Sequence, residues 1–195
     1  MAALDGEVCE DMAELCRKAD LLLVFGGDGT ILRVARQIAG SQTPILGVNT
    51  GSLGFLTAVP ADGLDEALRK VWAGEYQFEQ RALIEATGKM AGRRMHLQAL
   101  NDLVISRGSA PRLIELKVRV DGESLTNYRC DGLIISSPTG STAYLLAAGG
   151  AVVFPTAKVL ELTPICPHTL SNRSLIVPME STIEVKIVTV RPETI

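Results

Sequence analysis

The stretch LLLVFGGDGTILRVA, Leu21 to Ala35, decides how this chain is read. An apolar run, Leu21 to Phe25, stops at Gly26-Gly27-Asp28-Gly29-Thr30. A helical pattern follows, with Ile31, Leu32, Val34, Ala35, Ile38 and Ala39 forming a wide apolar stripe that ends near Gly40. A short continuous apolar run is typical of a parallel strand covered on both faces. A strand, a glycine turn and then a helix form the unit that places ligands at the carboxyl edge of a parallel sheet. The glycines let backbone N–H groups approach a phosphate, and the helix N-terminus favours its charge. The motif is neither G-x-G-x-x-G nor G-x-x-x-x-G-K-[ST]. The competing structural reading makes the segment a plain turn with Asp28 as N-cap.

The flanking sequence keeps the same rhythm. Val8, Met12, Leu15, Cys16 and Ala19 predict an opening helix, and Pro44 to Val48 a second strand. Leu64, Leu68, Val71 and Trp72 predict a further helix, with Asp62 as N-cap and Gly74 at C′. The pattern changes after Gln77. Ile114, Leu116, Val118 and Val120 alternate with Glu115, Lys117 and Arg119, and Asp121-Gly122 is a hairpin turn signal. Ile183, Val185 and Ile187 alternate in the same way. These patterns predict an open α/β layer followed by a mostly antiparallel sheet with one face of its strands wet. The boundary falls between residues 76 and 82, giving domains 1–79 and 80–195.

Composition sets the outer limits. The chain has 195 residues, with 47% hydrophobic but only 4% aromatic, so its core is aliphatic. A net charge of -3 gives no electrostatic sign of a nucleic-acid partner. There is no apolar run near the roughly 20 residues of a membrane span and no signal peptide. Cys9, Cys16, Cys130 and Cys166 form no C-x-x-C pair, and His96 and His168 are the only histidines, so no metal site is expected. Cys9 and Cys16, seven apart, fall on one helical face. Reduced cysteines suit a cytoplasmic protein.

Four further segments carry candidate chemistry. Gly47-Val-Asn-Thr-Gly-Ser-Leu-Gly54 follows the second strand, so two glycine loops are expected at one sheet edge. Asn101-Asp102 precedes a strand and offers an amide beside an acid, suited to sugar hydroxyls and base edges. Asp131 to Tyr144, DGLIISSPTGSTAY, ends an apolar run in hydroxyl residues before a helical stretch; Tyr144 can offer a flat face to a base. Gly140-Ser141-Thr142 is not a nucleophile elbow, and no triad histidine is placed, which argues against a serine hydrolase. Thr163-Pro-Ile-Cys-Pro-His168, followed by Thr-Leu-Ser-Asn-Arg173, is a rigid loop in which His168 is a weaker candidate.

Taken in order, GGDGT at 26–30, GVNTGSLGFL at 47–56, ALNDLVISRG at 99–108, DGLIISSPTGSTAY at 131–144 and LTPICPHTLSNR at 162–173 closely resemble the NAD kinase family. GGDGT alone is shared with lipid kinases and phosphofructokinases; the asparagine–acid pair and SPTGSTAY make the match specific. The resemblance covers roughly residues 20 to 190. It implies transfer of a phosphoryl group from ATP or polyphosphate, carried with Mg²⁺ or another divalent cation, to the 2′-hydroxyl of the adenosine ribose of NAD. It also implies a two-domain fold, an α/β Rossmann-like N-terminal layer followed by a β-rich sandwich, and assembly as a homodimer or homotetramer. Position by position, Asp28 becomes the catalytic aspartate and Gly27, Gly29 and Thr30 lie near the phosphates. Phe55, Asn101, Asp102, Thr139, Thr142, Ala143 and Tyr144 bind NAD, with Asp131 towards its nicotinamide end. Two rivals stay open: a lipid or sugar kinase sharing GGDGT, and a catalytically silent NAD(P)-binding module. Relatives usually carry a further strand and helix before GGDGT and further strands at the other end, so the chain reads as shortened at both. Ala151 stands where a proline commonly follows the two glycines.

Overall fold

The computed structural model describes residues 6–52, 54–90, 92–108, 112–168 and 173–188. Leu53 of the second glycine loop and Thr169-Leu170-Ser171-Asn172 of the proline loop lie outside the described residues. The chain divides into two compact units, Met1–Glu79 and Gln80–Ile195.

The first unit runs α1 (Met12–Lys18), β1 (Leu22–Gly26), α2 (Asp28–Gln37), β2 (Ile45–Asn49), β3 (Val59–Pro60) and α3 (Leu64–Trp72). Asp11 starts α1 by accepting the Ala13 N–H at 2.9 Å. Val8 and Cys9 therefore precede the helix, Val8 is 89% exposed, and the expected Cys9–Cys16 face does not exist. Strands β1, β2 and β3 form one parallel sheet in that order, with Leu22 opposite Ile45 and Gly26 opposite Asn49. Leu22 and Val24 of β1 bury against Ile31 and Val34 of α2, with Leu15, Cys16 and Ile38 packed around them. The other face of β1 is open within this unit: Leu23 is 36% and Phe25 53% exposed. Coverage on both faces, expected from the continuous apolar run, is not what these residues have.

Helix α3 ends as its sequence dictates. Gly74 takes a φ of +75°, its N–H donates to the Val71 carbonyl, and Glu75 N–H donates to the Lys70 carbonyl at 2.8 Å. Its start differs from expectation. Asp62 lies in a 3₁₀ turn, Ala61–Gly63, and the N-cap is Gly63. Trp72 is 77% exposed, so it marks the helix without filling the core.

The second unit is a β-sandwich. Its strands are β4 (Ile84–Met90), β5 (Arg93–Ala99), β6 (Asp102–Ser106), β7 (Ile114–Val120), β8 (Glu123–Cys130), β9 (Gly132–Ser136), β10 (Val159–Ile165), β11 (Leu175–Pro178) and β12 (Ile183–Val188). One sheet has the order β11-β10-β9-β6 and another β12-β7-β8; β4 and β5 form a separate ribbon. Leu116, Val118, Tyr128 and Cys130 from the second sheet meet Leu133, Ile135 and Leu162 from the first. Burial pushes the Cys130 thiol pKa up, so this cysteine is a packing residue. The Asp121-Gly122 turn closes β7 onto β8 with φ of +50° and +82°, the two positive values a type I′ turn requires.

The face of the first sheet opposite this core carries buried polar groups, and a short helix, α4 (Tyr144–Ala147), lies in the segment between β9 and β10. Glu161 of β10 is 2% exposed. Its Oε1 accepts the Ala151 N–H at 2.8 Å, while Oε2 has no partner. A proline at 151 has no N–H to give. Ala151 and Glu161 thus form a pair in which each residue explains the other.

Ala151→Pro removes the only hydrogen bond found for a buried carboxylate and is expected to cost about 1.5–3 kcal/mol. Glu161→Leu in the proline background is expected to recover much of that loss, because no buried charge remains to be served. Urea denaturation of the parent, both single variants and the double variant checks this. A coupling energy near zero excludes the pairing.

Candidate active site

In the first unit the glycines of GGDGT have separate physical reasons. Gly26 ends β1 at a φ of +155°, and a Cβ there would lie 2.8 Å from the Thr30 Cβ. Gly27 is the N-cap of α2; its carbonyl accepts the Thr30 N–H at 2.9 Å and the Ile31 N–H at 3.3 Å. A Cβ at Gly27 or Gly29 would meet nothing within 4 Å. These two positions leave bare backbone beside the positive end of a ten-residue helix, the arrangement that receives phosphate.

Asp28 is the first residue of α2 and not its N-cap, contrary to the structural alternative drawn from sequence. Its carboxylate reaches the loop after β2. Oδ2 accepts the Phe55 N–H at 2.8 Å and Oδ1 the Leu56 N–H at 3.0 Å. The loop is shaped by the buried Asn49, whose Oδ1 accepts the Gly51 N–H at 2.7 Å and whose Nδ2 donates to the Ser52 carbonyl at 2.9 Å. Gly47 lets the loop return across β2: a Cβ there would stand 3.1 Å from both the Leu56 carbonyl oxygen and Thr57 Cα. Phe55 then presents a 76% exposed ring. The two glycine loops thus meet at one edge of the parallel sheet.

In the second unit, antiparallel pairing of β6 with β9 sets Asp102 opposite Ser136. The Ser137 N–H donates to the Asn101 carbonyl at 2.8 Å, and Ser136 Oγ donates to the same oxygen at 3.3 Å. Gly140 is needed here, since a Cβ would lie 2.5 Å from that oxygen. Asn101-Asp102 and the turn Thr139–Thr142 are therefore brought together by backbone contact. Arg81 Nη1 donates to Thr139 Oγ1 at 3.2 Å. Asn101 Oδ1 is buried with no partner, and burial raises the Asp102 pKa above the usual carboxylate range. Thr142 and Ala143 are half-buried, and Tyr144 is 48% exposed and so not a core residue. The result is a pocket edge of small side chains with acceptors in need of donors.

Asp131 does not join this group. It precedes the first residue of β9 while Ser136 is the last, roughly 16 Å away at about 3.3 Å per residue. There its Oδ1 accepts the Arg107 Nε–H at 2.6 Å, and its N–H donates to the Ile165 carbonyl. His168 lies in the proline loop, exposed, with its N–H on the Arg129 carbonyl. Sequence reasoning overlooked Arg81 and the serine anchors Ser136 and Ser137. Nothing in the local pattern marks Arg81; the serines sit inside the quoted motif as hydroxyl residues, and their ties to the Asn101 segment span 35 residues or more. Among the described residues no cluster of three or more His, Cys, Asp or Glu is arranged for a metal, and no helix is long and apolar enough to cross a membrane.

Comparison with known proteins fits both units. Residues 9–76 match the family model of the ATP-NAD kinase N-terminal domain, and residues 100–195 that of the ATP-NAD kinase C-terminal domain. The NAD kinase of Moorella thermoacetica is 50% identical over 167 residues, covering 86% of this chain and 54% of that protein. The NAD kinase of Caldanaerobacter subterraneus is 47% identical, covering 89% and 62%. The chain thus spans less than two thirds of these curated relatives. Among solved structures, a yeast NADH kinase complexed with NADH superimposes with a TM-score of 0.85 at 36% identity, covering 91% of this chain and 53% of that one. An NAD kinase from Archaeoglobus fulgidus in complex with ATP gives 0.75 at 32% identity, covering 93% and 70%.

Asp102 yields a pH prediction. Its pKa is raised in the folded state by burial, so the fold binds this proton more tightly than the unfolded chain. The ionised group therefore costs stability above its folded pKa, and that cost vanishes as pH falls below the ordinary carboxylate value. Asp102→Asn is expected to raise Tm at pH 7 by a few degrees and to lose that advantage near pH 3.5. Thermal melts across that range check the sign; a Tm difference independent of pH contradicts it.

Proposed function

The chain belongs to the NAD kinase family, and we propose that it phosphorylates the 2′-hydroxyl of the adenosine ribose of NAD with ATP, or polyphosphate, giving NADP. The observation that carries this reading is Asp28. It is a half-buried carboxylate, fixed by two backbone N–H groups, beside bare glycine backbone at the start of α2.

Phosphoryl transfer passes through a loose transition state, so positioning and charge stabilisation outweigh covalent help. A bond forms between the ribose 2′-oxygen and the γ-phosphorus. The bond from that phosphorus to the bridging oxygen breaks, and its electron pair leaves with ADP. The hydroxyl proton passes to a carboxylate. A carboxylate is a far weaker base than the alkoxide of a ribose hydroxyl, so Asp28 acts mainly by orienting the hydroxyl and receives its proton late. The N–H groups at Gly27 and Gly29 face the phosphates, with Thr30 adding a hydroxyl. Mg²⁺ or another divalent cation enters with the phosphate donor as part of the substrate and neutralises developing charge.

Asn101, Asp102, Thr139, Thr142, Ala143 and Tyr144 supply the adenosine-binding groups in this proposal; Phe55 is a further NAD-binding residue, and Asp131 belongs towards the nicotinamide end. The bare Asn101 Oδ1 and the carboxylate of Asp102 suit the donors of a ribose or an adenine amino group. Assembly as a homodimer or homotetramer and a cytoplasmic location belong to the same proposal. Cys9, Cys16, Cys130 and Cys166 are all free thiols, which accords with a reducing compartment.

Incubation of the 195-residue chain with ATP, Mg²⁺ and NAD, coupled to an NADP-specific dehydrogenase, tests the activity directly. Asp28→Asn is expected to lower kcat by roughly 10²–10⁴-fold, with the Kd for NAD by calorimetry within about threefold of the parent. A parent that binds NAD and forms no NADP favours a catalytically silent binding module instead.

A further inference from the structure

The glycine at position 54 is not explained by its backbone. Among the described residues the left-handed glycines are 26, 40, 74, 92, 108, 122 and 149, and Gly54 is not one of them. Its φ lies outside the region that favours glycine. Space is what excludes a side chain. A Cβ at 54 would overlap the Asp28 carboxylate, standing 2.5 Å from Cγ and 2.8 Å from Oδ2. Real Cβ atoms do not come that close, so the carboxylate would have to leave. Gly51, three residues earlier in the same loop, offers the contrast: a Cβ there would meet nothing within 4 Å, and its φ is not left-handed.

The residues after Gly54 explain why the acid needs that space. Phe55 and Leu56 donate successive N–H groups to the two oxygens, at 2.8 and 3.0 Å. A carboxylate held at both oxygens cannot rotate about its Cβ–Cγ bond without breaking two charge-assisted hydrogen bonds. Each oxygen keeps a second lone pair. One face of the group is thus committed to the loop and the remaining lone pairs point along fixed directions. An acid at the first position of a helix otherwise serves its own helix's N–H groups; here the loop has taken it over.

We propose that Gly54, together with the N–H groups of Phe55 and Leu56, is the positioning device for Asp28. Its missing side chain admits the carboxylate to the loop, and the loop aims it. This rests on the reading of Asp28 as the residue that receives the substrate hydroxyl. Gly54 is a positioning residue and touches no substrate. Its effect belongs in turnover more than in nucleotide affinity, because every proposed NAD-binding residue except Phe55 belongs to the second unit.

The experiment pairs hydrogen exchange with kinetics on the full chain, comparing the parent, Gly54→Ala and Asp28→Ala. In the parent the Phe55 and Leu56 amides are expected to exchange at least tenfold more slowly than in either variant. Gly54→Ala is expected to lower kcat for NAD at least a hundredfold, with KM for NAD within threefold and Tm within about three degrees. A Gly54→Ala chain that keeps amide protection, or that loses protection yet retains kcat, overturns the proposal and leaves the kinase reading standing. A rise in KM with unchanged kcat also overturns it. A parent that binds NAD but makes no NADP overturns the kinase reading, and this proposal falls with it.

Discussion

The contact on which the first unit's site depends is a charged one: a carboxylate at the mouth of a helix held by the backbone of a neighbouring loop. Asp28 at the start of α2 and the N–H groups of Phe55 and Leu56 join the two loops that leave the carboxyl ends of β1 and β2. Parallel strands deliver both loops to the same edge. What the strands cannot do is fix the loops against each other. The hydrogen-bonded carboxylate does that, and several glycines are arranged around the requirement. Gly26 clears Thr30, Gly47 clears the returning backbone at Leu56 and Thr57, and Gly54 clears the carboxylate itself. Gly27 and Gly29 clear nothing within the chain. Glycines that relieve an internal clash are structural; those that face open space at a helix N-terminus are the ones available to a phosphate.

The second unit solves a different problem. Its inner faces close an aliphatic core around Leu116, Leu133 and Leu162, leaving polar groups on the outer face of one sheet. Ser136 and Ser137 tie the turn after β9 to the Asn101 segment, and Ser141 Oγ accepts the Val153 N–H at 3.1 Å, binding the loop after α4 to the same turn. Glu161 adds a further tie through Ala151. Each is a side-chain bond to backbone, and such bonds place irregular chain where a ladder of β hydrogen bonds cannot reach. The segment that carries Thr139 to Tyr144 is positioned mainly by hydroxyls and one buried acid.

Periodicity made the frame legible. The alternation through Ile114 to Val120, the Asp121-Gly122 turn and the Gly74 helix stop each have a local cause, and each is present in the structure. What the sequence hid has non-local causes. The stripe through Val8 suggested a longer first helix, but the cap at Asp11 outweighs it by giving a free N–H its acceptor. The run Leu21 to Phe25 does not reveal which faces are covered, because β1 buries Leu22 and Val24 and leaves Phe25 half exposed. Asp28 looked like a cap because its true partners lie 27 and 28 residues away. The Arg81–Thr139 hydrogen bond, 58 residues apart, leaves no local trace at all. The Glu161–Ala151 hydrogen bond joins residues ten apart, and nothing in the alternation of β10 marks it.

Under the proposed function, the two units also differ in how they treat the polar groups assigned to a ligand. Asp28 is satisfied in advance: both oxygens already have donors, so meeting a substrate hydroxyl adds a bond without moving the group. Asn101 Oδ1 is buried with no donor, and Asp102 is pushed towards its neutral form by burial. An unpaired buried acceptor such as Asn101 Oδ1 holds a desolvation cost of about 1–3 kcal/mol, and a ligand that brings a donor relieves it on binding. A preset carboxylate favours speed, since nothing has to reorganise at the moment of transfer. Unfilled acceptors favour selectivity, since a molecule lacking the matching donors leaves the cost in place. An acid for the chemistry and acceptors for the recognition, one prepaired and one left wanting, is the division expected when one surface must turn over quickly and another must choose.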